Sequence, residues 1–224
     1  ISIDAYRIIQ RIGSDTMEKT LHPGENMGRV IERLNLLITD LLAFAGVASE
    51  STTRTHAWRF LQLGRRIERA DQTAELLDAT LVNPVGNETS VCEGVLDALD
   101  SMMTYRSRYL NLVRPAPTID LLVTDETNPR SLSFQLHEIA ALISQLPTGA
   151  KIVGLGADEK IASRMLHLLR MADPVQLSEV SGNKNRPHLE RLLEQLIRGL
   201  PSLSDAIAAR YLIHTGTTQI LTGV

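Results

Sequence analysis

Apolar residues recur at three- and four-residue steps through most of the chain and nowhere alternate as they do in a half-buried strand, so the pattern predicts helices throughout. The first carries Ile8, Ile9 and Ile12. From Glu25 to Ala45, the residues Met27, Val30, Leu34, Leu37, Ile38, Leu41 and Ala45 share one side, a bundle-facing stripe that Gly46 is expected to stop. Thr52 or Thr53 can cap a third helix of about eight turns, which runs until Pro84 and Gly86. Its main stripe is Phe60, Leu63, Ile67, Ala70, Ala74, Leu77 and Leu81, with Trp58, Leu61 and Leu76 around the other side. Apolar on two faces, it reads as a central helix.

Ser90 with Glu93 forms a capping box for a helix whose stripe runs from Val91 through Leu99, Met102 and Leu110 to Val113, closed by Arg114-Pro115. A short helix is expected from Ile119 to Thr124. Asn128-Pro129 signals the start of another, carrying Leu132, Leu136, Ile139, Ile143 and Leu146. Residues 157–172, 189–197 and 203–212 supply three more, and 13–24 and 173–186 read as loops too short for linkers. The expected fold is all-α: one domain over residues 1–224, an antiparallel up-and-down bundle of about seven to nine helices with one long central helix. Opening at Ile1 directly into a helix, the chain reads as amino-terminally truncated, the carboxy-terminal part of a larger protein.

Composition narrows the function classes. With 43% apolar and 22% charged residues the chain is an ordinary globular protein, and 23 basic against 26 acidic residues leave no footprint for nucleic acid or anionic membrane. The most apolar run, from Leu36, is short and broken by Asp40, so no spanning or secretion signal is read and a cytoplasmic protein is expected. A single cysteine excludes an internal disulfide; Cys92 lies in an apolar stripe and reads as a buried structural thiol. Phosphate-loop, zinc-protease, nucleophile-elbow and di-iron spacings are missing, so neither a cofactor nor a metal site is expected. Gly154 and Gly156 read as a helix-entry loop.

Charges inside apolar stripes are the more telling feature, because an ionised group there needs a partner. Asp71 and Asp78 fall in or beside the Phe60–Ile67–Ala74 stripe with Glu68 at its edge, Arg106 falls inside the Leu99–Leu110 stripe, and Arg210 and His214 share a face with Leu203 and Ile207. The acids and arginines are expected to meet across the bundle core, either as structural ion pairs or as the site of a polar ligand. Glu32-Arg33 reads as solvated. Arg65 and Arg69 read as a salt-bridged helix flank or a partner surface, and His56 and His137 have no metal-ligand spacing.

At residues 64–78, GRRIERADQTAELLD, the sequence resembles the bacterial alpha-E family, helical proteins with a recurrent Glu-Arg motif. The likeness continues through Tyr105 to Tyr109, Leu121 to Asp125, Asn128 to Ser131, and Ser204 to Tyr211. It places family positions on Glu68, Arg69 and Asp71, on Tyr105, Arg106 and Tyr109, on Asp125, Pro129 and Arg130, and on Arg210 and Tyr211. Ser107 departs from the family's usual arginine, and an earlier Glu-Arg helix of the form LGRYLERAE is not found. The resemblance implies a domain that occurs alone or fused to a circularly permuted ATP-grasp module, beside transglutaminase-like peptidases. It therefore implies an ATP-grasp ligase as partner, with a peptide substrate and a transglutaminase-like peptidase as further candidates. Three roles follow as expectations: a non-catalytic binding or scaffold module, an enzyme using Glu68, Asp71, Arg106 and Arg210 in peptide or amide chemistry, or an oligomerisation domain.

Overall fold

The computed structural model describes residues 2–18, 26–110, 112–147, 154–182 and 185–212. Among them there are ten α-helices, two π-helical turns and no strand, so the chain is all-α, with more and shorter helices than the seven to nine expected. It divides into two compact units, residues 1–58 and 59–224, where the sequence pattern reads as one domain.

In the first unit α1 (Ile3–Glu18) packs on α2 (Met27–Ser51). Asn26 caps α2 by accepting the Gly28 N–H at 2.8 Å, and the helix runs through Gly46 rather than stopping there. Ala5, Ile8 and Ala48 are buried, and Arg11 grips the Asp40 carboxylate with both arms of its fork. Two helices can bury only one stripe against each other. The predicted bundle-facing stripe is not that one: Met27, Leu34, Ile38 and Leu41 are all at least half exposed.

The second unit is built around α3 (His56–Leu77), which continues as a π-helical turn over Asp78–Val82, close to the long helix predicted. Leu63, Ala70, Ala74, Leu77 and Leu81 from the expected stripe are buried. The predicted capped helix is instead two. α4 (Glu88–Ala98) is capped by Asn87, whose side chain accepts from Thr89 and Ser90, so Ser90 and Glu93 both lie inside the helix and Ser90 is not its cap. The chain then breaks at Asp100, with φ of 48°, a left-handed conformation that aspartate tolerates better than most residues, and restarts as α5 (Met102–Tyr109). Pro115 opens α6 (Pro115–Ile119), which flows into a second π-helical turn, Asp120–Thr124.

Ser131, not Asn128, caps α7 (Leu132–Ile143). Then follow α8 (Ala157–Arg170), the short α9 (Pro174–Ser178) inside the predicted loop, and α10 (Pro187–Tyr211). α10 joins two predicted helices and carries Pro201 within it, since burial of Leu189, Leu193, Leu196, Leu200 and Leu203 on one side outweighs the proline's missing hydrogen bond. It packs on α8, and α8 on α7. Gly199 lets α10 approach α8 closely: a Cβ there would come within 2.6 Å of Met165 Sδ. Among the described residues no helix is long and apolar enough to cross a membrane.

Candidate functional site

The segment 125–131, between the second π-helical turn and α7, is where polar side chains gather. Asp125 organises it. Its Oδ1 accepts from the Thr127 N–H at 2.6 Å, the Thr127 hydroxyl at 2.7 Å and the Asn128 N–H at 3.3 Å, while Oδ2 takes Arg108. Asn128, itself buried, donates to the Leu121 carbonyl at 3.0 Å and to Ser101 at 3.3 Å, and accepts the Arg130 N–H at 3.1 Å. The Ser131 hydroxyl donates to the Asp125 carbonyl and accepts from the Phe134 N–H at 3.0 Å. A predicted helix cap is thus a locked turn.

Behind this turn lie the two tyrosines of α5. Tyr105 is fully buried and its hydroxyl accepts the Arg114 N–H at 3.1 Å; the Tyr109 ring lies 5.0 Å away. Tyr109 donates to Asp120 Oδ2 at 2.6 Å, and Thr124 donates to Oδ1 at 2.8 Å. Burial first, then the Asp120 carboxylate, hold the Tyr109 phenol well above its ordinary pKa.

In front of it lies the arginine face of α3. Arg66 donates to Gln135 Oε1 at 3.3 Å, pairs with Glu138 at 2.8 Å and lies over the Phe134 ring, its Cζ 5.7 Å from the centroid. Gln135, 1% exposed, reaches back to the Pro129 carbonyl at 2.5 Å. This bridge fixes the turn against α3 and puts Arg130 beside Arg69. Burial lowers the Arg69 pKa, and the charges of Arg130, Arg65 and Arg66 lower it further. No carboxylate pairs with Arg65 or Arg69 among the described residues; Glu68 is exposed and accepts from Gln72 instead. Arg130 has only Asp100, at 3.6 Å and 87% exposed. The Arg66 Nε is buried with no hydrogen-bond partner.

The expected convergence of Asp71, Arg106 and Arg210 does not occur. Arg106 is exposed, because the break at Asp100 re-aims α5 and puts Tyr105 on the buried side, so a stripe extrapolated through Leu99 no longer applies. Arg210 turns to Asp158 of α8, at 2.6 Å, with Glu159 at 3.9 Å; burial pulls its pKa down, but the Asp158 hydrogen bond and charge outweigh that and hold it up. Tyr211 packs edge-on against Phe60 at 5.6 Å. Asp78 is half-buried in the first π-helical turn and forms no ion pair among the described residues. Asp71 is half-buried without an arginine: its Oδ1 has no hydrogen-bond partner, and burial, then Glu75 and Glu68, raise its pKa. His214 lies outside the described residues. Cys92 is buried and free, and burial pushes its thiol up.

Sequence reasoning missed the deepest charges. Arg186, 1% exposed, donates to the Leu81 carbonyl at 2.6 Å and the Ser178 carbonyl at 3.1 Å, pairs with Glu88, and gives its own N–H to the Val82 carbonyl at 2.9 Å. It precedes a helix and lies on no stripe, so periodicity gives it no signal. Asp158, fully buried, sits in the first turn of α8. Gln135, by contrast, had a signal: it falls inside the Leu132–Leu136–Ile139 stripe.

A family model described as a predicted alpha-helical domain with a conserved ER motif, named Alpha-E, matches residues 1–212. The chain belongs to the Alpha-E family. Its resemblance to Alpha-E proteins rests on Glu68-Arg69, on Tyr105 to Tyr109 and on Asp125 to Arg130, and the fold gathers Arg69, Arg130, Asp125 and the two tyrosines around one turn, leaving Arg210 and Tyr211 elsewhere. Uncharacterised proteins of Mycobacterium tuberculosis and Mycobacterium bovis are each 32% identical over 188 residues, which cover 83% of this chain and 21% of theirs. The chain thus spans about a fifth of the length of these relatives. No solved structure matches it.

Proposed function

We propose that this Alpha-E chain is a non-catalytic binding and scaffold module of a cytoplasmic system that contains an ATP-grasp peptide or amide ligase. The carrying observation is how its interior charges are used. The buried Arg186 is held by Glu88 and two carbonyls, the buried Asp158 by Arg210, and the nearly buried side chain of Asp125 by Arg108. A general acid or base needs freedom to exchange its proton with a substrate, and groups locked in this way serve rigidity instead. The relatives' much greater length supports the view of one module among others.

A second reading, an enzyme in its own right, is favoured by Asp71 alone, the half-buried carboxylate with a raised pKa and no arginine partner. Both are tested by recovering partners of the whole protein and assaying peptide ligation with and without this region. The module reading expects partner recovery and ligation to fall when the region is removed and to survive Asp71→Asn. Indifference to removal overturns it, and loss of ligation on Asp71→Asn with the fold intact transfers support to the enzyme.

A further inference from the structure

We infer that Arg65, Arg66, Arg69 and Arg130 form a binding site for a small oxyanion, a carboxylate or phosphate group. Arg65, Arg66 and Arg69 lie within about one turn of α3, the bridge through Gln135 brings the residue next to Arg130 against Arg66, and the self-repulsion of these groups is only partly offset. Glu138 serves Arg66, and Asp100, 3.6 Å from Arg130, is turned to water. Arg65 and Arg69 form no ion pair among the described residues, although Glu68 lies on the same turn of the helix. Like charges brought together without counter-charges cost stability, and here the approach is enforced rather than incidental. Buried Gln135 accepts from the Arg66 guanidinium and donates to the Pro129 carbonyl, so the turn cannot relax away from α3 without breaking that bridge, while Asn128 fixes the Arg130 backbone within the turn.

Each free guanidinium offers a planar fork that matches the two oxygens of a carboxylate or phosphate. The Arg66 fork is already engaged by Glu138 and Gln135, and its Nε is buried with no hydrogen-bond partner among the described residues. The 12-residue α7 begins two positions after Arg130, and the positive end of its dipole adds to the same field. The face is therefore short of one anion.

The inference goes beyond the module reading and does not need a ligase, so titration of the isolated whole protein tests it separately. Calorimetric or NMR titrations at low ionic strength would use inorganic phosphate, a short peptide with a free terminal carboxylate, and the same peptide as its amide. Saturable binding of phosphate alone assigns the site to phosphate groups. Saturable binding of the free peptide but not its amide assigns it to carboxylate termini. Arg69→Gln and Arg130→Gln should each weaken binding at least about tenfold, Arg69→Lys should weaken it less, and Arg198→Gln, a change on the exposed side of α10, should leave it unchanged. Both site residues reach solvent, and matching circular dichroism and melting curves would show that these variants fold. The inference is overturned if neither anion saturates, if the amide binds as well as the acid and phosphate does not bind, or if Arg198→Gln weakens binding as much as Arg69→Gln.

Discussion

Replacing Arg186 with methionine removes the one guanidinium that holds the end of the first π-helical turn, α9 and α4 together. The cost can be worked from its partners. The carbonyls of Leu81 and Ser178 lose their donors, at roughly 1–3 kcal/mol each if left dry. Glu88 is 42% exposed and can turn to water, so its lost ion pair adds only about 0–1 kcal/mol. The N–H to Val82 belongs to the backbone and survives. Methionine replaces part of the apolar stem. A loss of about 3–5 kcal/mol is therefore expected, within the range for breaking a buried charged network and a large part of the ~5–15 kcal/mol that holds a domain together. In urea, with a slope of about 2–3 kcal/mol per molar, the unfolding midpoint followed by circular dichroism should fall by roughly 1–2.5 M at unchanged slope. Glu88→Gln, which leaves the buried guanidinium both carbonyls and a neutral amide but no counter-charge, should cost less than Arg186→Met. A loss below about 1 kcal/mol for Arg186→Met would refute the reasoning, as would a Glu88→Gln variant equally damaged, since the ion pair rather than the carbonyls would then dominate.

Three further outcomes follow from the same geometry. Gly156→Ala should destabilise by about 1–3 kcal/mol in the same unfolding experiment, because its Cβ would fall on Arg210 Nη1 and Asp158 Oδ1 and push the pair apart; no loss would mean that the pair yields freely. The Tyr109 phenol has a folded pKa above its unfolded value near 10, so its contribution is present below about pH 10 and fades as pH rises from there. Absorbance titration should show at least one of the four tyrosines ionising late, and Tyr109→Phe should flatten the alkaline loss of stability. The raised folded pKa of Asp71 means that its stabilising contribution exists below the ordinary carboxylate value of 3.8 and is lost as pH rises through the folded pKa. Asp71→Asn should accordingly raise the urea midpoint at pH 7 and lose that advantage near about pH 3; a fall at pH 7 would reveal a stabilising partner.

The helices of this chain were legible where one face is apolar over many turns. α3 with its π-helical turn and α7 follow their stripes, since burying Leu63, Leu77, Leu136 and Ile139 sets both period and orientation. The breaks were harder to read. Asp100 interrupts a continuous stripe through a backbone angle that no periodicity announces, and that one turn displaced every inference about Arg106. The expected division into 189–197 and 203–212 erred in the opposite direction, because the leucines on both sides of Pro201 are buried along one continuous helix. Of the candidate residues, Asp125 meets the Tyr105–Tyr109 stretch through Arg108 and Tyr109 finds Asp120, while Arg106 faces solvent; Gln135 could have been read from its place in an apolar stripe, but Asp120 and Arg108 had no such signal. Asp158 and Arg186 sit at helix entrances, where their environment is set by remote chain and not by neighbours in sequence.

Arg186 clasps a carbonyl 105 positions earlier in the chain. On a ribosome adding about 5–20 residues per second, the end of the first π-helical turn therefore waits roughly 5–20 seconds for its guanidinium to be made. During that interval the Leu81 carbonyl has been made without its guanidinium donor, so this end of the helix can be sealed only late in synthesis.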